Sequence, residues 1–304
     1  MKQKILRLLK PLLFVLCFAL LAWMVVQAGP MQLWHTLCSM PGTIALCVMV
    51  WGIGYLFNAA SFREVLLAIH PDLHTKTQVG ECNPQRFTFG SILKLTISGY
   101  AINYITPFGL LGGEPYRVLA LKPMMGTEKA TRSVVLYSTM HITSHFCFWA
   151  LAALTAAWMM HNGELGGEST TTIAITLTGI LSFFDWRHLP AGPRYRALGN
   201  EFVSRMVNVM EYQLIMQTLG FEGFGYLEAF LCVAFSSLFA NVLFFSPMQM
   251  GTREGGIMLS LQYLLPHLPA QELLPVALGL SFATRIREIV WIAVGLVLVK
   301  IKSK

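Results

Sequence analysis

Arg285, Arg287 and Glu288 stand in the middle of the apolar run Leu273–Val299. An ionised side chain at the centre of a bilayer costs about 2.5–3.5 kcal/mol on insertion scales. If the run crosses a membrane, these three must therefore face protein or water. Arg285 and Glu288 are spaced i,i+3 and can pair on one helix face, while Arg287 points elsewhere. Two further charged sets, Glu114 with Arg117 and Arg253 with Glu254, follow segments broken by Pro and Gly. The four arginines and three glutamates make a nearly neutral mixture with Arg in excess. Arg suits phosphate because its guanidinium forms a bidentate fork. The mixture fits a phosphate-bearing or zwitterionic headgroup better than a metal ion or a sugar. The competing reading is an ion-pair cluster that only locks helices together.

His141 and His145 are spaced i,i+4 on one helix face, which can bind a metal. The run lacks the Glu of an HExxH motif and offers no evident third ligand. Interhelical hydrogen bonding beside Ser138 and Ser144 is the plainer role for both, and His145 could also line a cavity opposite Arg285. No metal or cofactor is expected. No GxxxxGK[ST] run is present, so ATP drive is not expected either. Cys17, Cys38, Cys47, Cys82, Cys147 and Cys232 are scattered without paired spacing and read as small buried hydrophobes.

The elements that must position these residues follow from composition. Of 304 residues, 55% are hydrophobic and 12% are charged. A soluble domain carries about a quarter charged residues, so the chain reads as all-α, a polytopic integral membrane helical bundle forming one transmembrane domain over residues 1–304. Disorder, a disulfide scaffold and a coiled coil are excluded by the same balance. The net charge of +7 means basic loops facing the cytoplasm and anionic lipid rather than nucleic acid. Apolar runs at Leu12–Ala28, Thr43–Phe62, Ser133–Met160, Thr170–Trp186, Phe224–Phe245 and Leu273–Val299 are each near the roughly 20 residues a crossing needs. All Lys and Arg except Arg253, Arg285 and Arg287 fall at the termini or in three connections, 61–94, 117–132 and 185–205. The positive-inside rule then predicts six crossings of the cell (inner) membrane with both termini cytoplasmic. An eight-span alternative, with 90–105 and 202–219 also crossing, puts four arginines outside. In the six-span reading Phe202–Leu219, with Arg205 and Glu211, is an interfacial or tilted helix.

Residues 90–122 and 247–265 each start and end on one side and contain Pro and Gly, so both are expected to be re-entrant hairpins. They resemble each other. Thr106-Pro107 and Ser246-Pro247 each precede a Glu seven residues after the Pro, at Glu114 and Glu254. The same offset lays 133–160 onto 273–300 and His145 onto Arg285, giving an internal repeat with approximate halves 1–185 and 186–304. Irregular backbone inside a bilayer persists only where protein or water satisfies it. Broken segments at corresponding places of a repeat mark a transport site. A helix starting near Gly112–Glu114 also aims N–H groups at that site, which favours an anion.

Pro107 with Gly112-Gly113-Glu114-Pro115-Tyr116-Arg117 resembles the first re-entrant signature of the lysylphosphatidylglycerol synthase transmembrane, or flippase-like, family. Pro247 with Gly251-Thr252-Arg253-Glu254-Gly255-Gly256 is similar to its second signature, and Ala283-Thr284-Arg285 to its Arg-bearing last span. The resemblance covers nearly the whole chain. It departs at Ser138–His145, where the family often shows an acidic and basic group. It implies an integral lipid translocase that moves a headgroup between leaflets through a polar groove. The substrate-binding residues would be Glu114, Arg117, His145, Arg253, Glu254, Arg285, Arg287 and Glu288. No aminoacyl-transferase domain is seen, so no lysyl transfer by this chain alone, and no enzyme activity, is expected. The rivals are an intramembrane metal-dependent hydrolase and a structural subunit of an envelope-synthesis complex. A membrane lipid is the expected partner, with a homo-oligomer or a partner envelope enzyme as further options and no nucleic acid.

Overall fold

The computed structural model describes residues 22–27, 29–70, 88–105, 112–161, 190–242, 249 and 251–300. Pro107, Pro247, the run Thr170–Trp186 and most of Leu12–Ala28 lie outside them. Every described element is a helix, as the composition requires. In chain order they are α1 (Pro30–Cys38), α2 (Pro41–Ile69), α3 (Phe89–Ile105), α4 (Gly113–Met125), α5 (Thr127–His161), α6 (Ala191–Thr218), α7 (Tyr226–Val242), α8 (Thr252–Leu264) and α9 (Ala270–Lys300).

Local chemistry sets several of the boundaries. Pro30 and Pro41 open α1 and α2, where the missing N–H costs nothing. Gly126, at φ 81°, ends α4 in a conformation that a Cβ would strain. Gly251, at φ 77°, caps α8, and its N–H donates to Glu254 Oε2 at 2.7 Å. The stretch expected as an interfacial or tilted helix is helical to Thr218 and continues the turns from Ala191 as one 28-residue helix.

The helix lengths recur in order. Helices α2 to α5 have 29, 17, 13 and 35 residues, and α6 to α9 have 28, 17, 13 and 31. The paired short helices pack against each other, α3 on α4 and α7 on α8. Both pairs run antiparallel. A Cβ on Gly113 would meet Gly99 and Asn103, and Leu121 joins Ile92 and Leu95 in one core cluster. On the other pair, a Cβ on Gly256 would meet Ser236 and Phe239, while Ser260 donates to Cys232 Sγ at 3.1 Å. The first expected hairpin, 90–122, thus covers α3 and most of α4. The second, 247–265, covers α8 alone. Its packing partner α7 lies in the run that reads from sequence as a full crossing, yet α7 has only 17 residues.

The chain forms two compact units, each drawing on segments from both sides of residue 186. Unit 1 is 1–49, 152–170 and 208–288; unit 2 is 50–151, 171–207 and 289–304. Unit 2 is organised on Phe62, Leu66, Leu95, Val134, Tyr137 and Met140. In unit 1, Met24, Leu33 and Leu278 form a smaller cluster.

Burial departs from that of a protein in water in two ways. Met49, Ile53, Val135, Leu154, Trp158, Ile289 and Val297 are exposed, while Arg117, Glu201, Glu211, Glu254 and Arg287 are buried. Large apolar surfaces of this kind need a non-aqueous neighbour. Helix α2 and residues 127–159 of α5 are long and apolar enough to cross a membrane. Helix α9 has the length, but its central charges lower its apolarity.

Candidate functional site

Among the described residues, each unit holds a buried charged cluster. In unit 1 it forms where the N-terminus of α8 meets the middle of α9. Glu254, in the first turn of α8, is 0% exposed. Its Oε1 accepts from Ser281 Oγ at 2.6 Å and from Arg285 Nη2 at 2.7 Å and Nε at 3.0 Å. Its Oε2 accepts the Gly251 N–H. Glu254 therefore ties the helix cap to α9 and aims Arg285. The neighbouring Arg253 donates from Nη1 to Glu288 Oε1 at 2.6 Å. Arg287 turns away to Glu211 on α6, 2.9 Å from its Oε1, and lies 3.7 Å from Glu288.

The expected i,i+3 pair of Arg285 with Glu288 is replaced by partners on other helices. Both side chains project from α9 toward α8, and each meets an opposite charge there before it can turn back along its own helix. The charge count changes as well. Glu211, which the sequence reading left in a tilted helix, joins the cluster, so three arginines meet three glutamates.

Burial separates these groups. Arg253, Arg285 and Glu288 each keep 8% exposure, whereas Glu254 and Arg287 have none. Glu254 and Arg287 are thus the most deeply enclosed members, and they fix Arg285 and pair with Glu211 respectively. A buried ion pair breaks even at best against apolar residues of equal volume. The double variant Glu211→Leu/Arg287→Met is thus expected to unfold within about 1 kcal/mol of wild type in a detergent denaturation series. Either single substitution is expected to do worse than both together.

In unit 2 the cluster lies on α3, α4, α5 and α6. Arg117 is buried, donates from Nη1 to Glu114 Oε1 at 2.6 Å, and stacks on Tyr100 and Tyr137 at 4.9 and 5.1 Å from the ring centroids. The Gly113 N–H donates to Asn103 Oδ1, so Asn103 bridges α3 and α4. His141 Nδ1 is 2.7 Å from Glu201 Oε2. Arg205 donates from Nε to Ser144 Oγ at 2.8 Å and from Nη2 to the His141 carbonyl at 2.9 Å, and its Nη1 lies 2.8 Å from His145 Nδ1.

Among the predicted residues, Glu114, Arg117 and His145 thus belong to unit 2, and Arg253, Glu254, Arg285, Arg287 and Glu288 to unit 1. His145 faces Arg205 within unit 2, and Arg285 belongs to unit 1. The sequence reading missed Glu201, Tyr100 and Tyr137, and noted Arg205 and Glu211 only as interruptions. The available signal was the spacing of Glu201 and Arg205, i,i+4 in a helix otherwise rich in apolar residues. The i,i+4 histidines do not share a ligand, since one faces a carboxylate and the other a guanidinium. Among the described residues no three His, Cys, Asp or Glu side chains gather as a metal site would require.

The family model of the lysylphosphatidylglycerol synthase transmembrane region matches residues 8–209. The chain belongs to that family. It is accordingly a membrane protein, of a family whose description points to a lipid-related function. The matched region includes the first signature, Gly112–Arg117, and all of the unit 2 cluster. It stops before the second signature at Gly251–Gly256 and before Arg285, so the family match is narrower than the resemblance read from the motifs. No curated protein matches the chain.

Proposed function

We propose that this member of the lysylphosphatidylglycerol synthase transmembrane family is a multi-pass, flippase-like transporter with cytoplasmic termini. It would carry a phosphate-bearing lipid headgroup between leaflets and catalyse no covalent chemistry. The observation that carries this reading is the graded burial in unit 1. Arg253 and Arg285 keep 8% exposure, while the carboxylate that aims Arg285 and the inner Arg287 are sealed. A headgroup phosphate arriving at that edge competes with Glu288 for Arg253 and with Glu254 for Arg285. Because charges are already matched, a zwitterionic head can exchange partners at either end without stranding a charge. An anionic head would need a compensating cation. In unit 2, the partly exposed Glu114 and His145 offer further polar handles, with Arg117 sealed behind Glu114. The acyl chains stay in lipid, against the exposed apolar faces of α2, α5 and α9.

The test is lipid translocation in liposomes reconstituted with purified protein. A fluorescent phospholipid is followed by its protection from a membrane-impermeant quencher. Arg253→Ala and Arg285→Ala are each expected to slow translocation at least about tenfold, the loss of one charge-assisted hydrogen bond. Arg253→Lys and Arg285→Lys should recover part of the rate, because Lys keeps the charge but loses the fork. Wild-type rates in both alanine variants would remove the site assignment.

A further inference from the structure

One nitrogen in unit 2 lies against two partners, and two proton arrangements fit them. His141 Nδ1 lies 2.7 Å from Glu201 Oε2 and 3.2 Å from Tyr100 Oη. A neutral imidazole nitrogen carries either a hydrogen or a lone pair. As N–H it donates to the Glu201 carboxylate. As a lone pair it accepts the Tyr100 hydroxyl, and the 2.7 Å contact then survives only if Glu201 holds a proton. With Nε2 carrying its hydrogen, the second arrangement contains one proton more than the first. Tyr100 stays satisfied in both, because Tyr137 Oη is 3.2 Å away. Glu201 is 1% exposed, and its Oε1 makes no hydrogen bond among the described residues. The His141 side chain is 18% exposed. The pair thus has a partly exposed outer member and a sealed inner member.

The surrounding charges decide what an added proton does. From α4, Arg117 stacks on Tyr100 and Tyr137 and pairs with Glu114. On α6, Arg205 lies against His145 and the His141 carbonyl. Tyr55 of α2 packs on Tyr100, and Cys147 of α5 is close enough to Arg205 to feel its charge. With both histidines neutral, two arginines balance two glutamates. One extra proton leaves a single positive charge among apolar side chains, which is costly unless an anion joins it.

We propose that His141 and Glu201 form a proton-binding pair whose protonation draws an anionic phosphate headgroup to the unit 2 cluster, so that proton and headgroup bind together. This rests on the transporter reading above and supplies the compensating cation that an anionic head requires. Binding linkage is reciprocal: a headgroup that prefers the protonated pair must raise the pair's affinity for the proton by the same factor. One proton and one anionic head leave the cluster neutral again, so the loaded form can face lipid at little electrostatic cost.

Calorimetric titration of the full chain in detergent tests this, with short-chain phosphatidylglycerol as the probe. Experiments in two buffers of different ionisation enthalpy count the protons taken up. Wild type is expected to take up about one proton per lipid bound, and its affinity to fall about tenfold per pH unit above the midpoint of the pair. His141→Gln and Glu201→Gln are expected to bind with no proton uptake and no such slope. Tyr100→Phe keeps the ring packing and removes only the alternative donor. It should bind with reduced uptake, which keeps the test decisive if the other variants fold poorly. Binding without uptake in wild type, or unchanged uptake in His141→Gln and Glu201→Gln, overturns the proton pair while the headgroup reading stands. Absence of binding at every pH overturns the headgroup reading and the coupling with it. Equal uptake with inorganic phosphate would assign the cluster to a soluble anion and overturn the lipid part.

Discussion

Glu254→Ala is expected to lower stability by about 3–5 kcal/mol, the range for removing one partner of a buried ion pair. Four hydrogen bonds converge on this carboxylate, from Gly251 N–H, Ser281 Oγ and two nitrogens of Arg285. The substitution takes the anion from Arg285 and an acceptor from the N-terminus of α8 and from the Ser281 hydroxyl, all in a place that water does not reach. Denaturant unfolding in detergent measures the loss. Glu254→Gln keeps the shape and an acceptor oxygen and should lose less. Arg285→Leu placed in the Glu254→Ala background should restore part of the stability, because the uncompensated charge is then gone; this is the signature of a coupled pair. Additive losses would mean that Glu254 contributes mainly through the cap.

Gly113→Ala is expected to be comparably severe, at about 3 kcal/mol or more, the upper end for overpacking. A Cβ at Gly113 would run into the backbone carbonyl of Gly99, far inside van der Waals contact, and would meet Asn103 Oδ1 at 3.0 Å. The obstacle is backbone, which cannot rotate away as a side chain would. Helices α3 and α4 must separate at the point where Asn103 holds the first N–H of α4. The separation also disturbs Arg117, which sits against Gly99 between two tyrosines. Gly255→Ala is the matched control. Nothing lies within 4 Å of its Cβ position, and a helical Gly-to-Ala change there should stabilise by roughly 0.5–1 kcal/mol. Thermal unfolding of both variants in one detergent compares them directly. Equal behaviour would contradict the close approach of α3 and α4.

Cost alone marks the charges that must be sheltered. Arg285, Arg287 and Glu288 in an apolar run must be sheltered, and all three are buried. The pairing was not legible. From α9 alone, Arg285 and Glu288 read as partners, since only contacts within one helix follow from spacing. The bonds they make instead depend on where α8 ends. That in turn depends on Gly251 adopting φ 77° and on Glu254 capping it. Glu201 was overlooked, and Glu211 noted only as an interruption, for a related reason. They are the two acids of one mixed helix, α6, and only a neighbouring helix shows what faces each.

Composition and hydrophobic pattern by themselves determined that this chain is helical, that its long apolar helices expose apolar side chains, and that the charges in the middle of the last apolar run are sheltered. Those outcomes follow from local terms, namely backbone hydrogen bonds that close within a helix and a charge that cannot remain in hydrocarbon. The Gly, Pro and Arg-Glu motifs determined the family. Tertiary structure alone decided which carboxylate meets which guanidinium, that Arg287 is more deeply buried than Arg253 and Arg285, and that His141 stands between Glu201 and Tyr100. An ion pair forms across a few ångströms between segments tens of residues apart, and the chain's spacing carries no information at that distance until helices have packed.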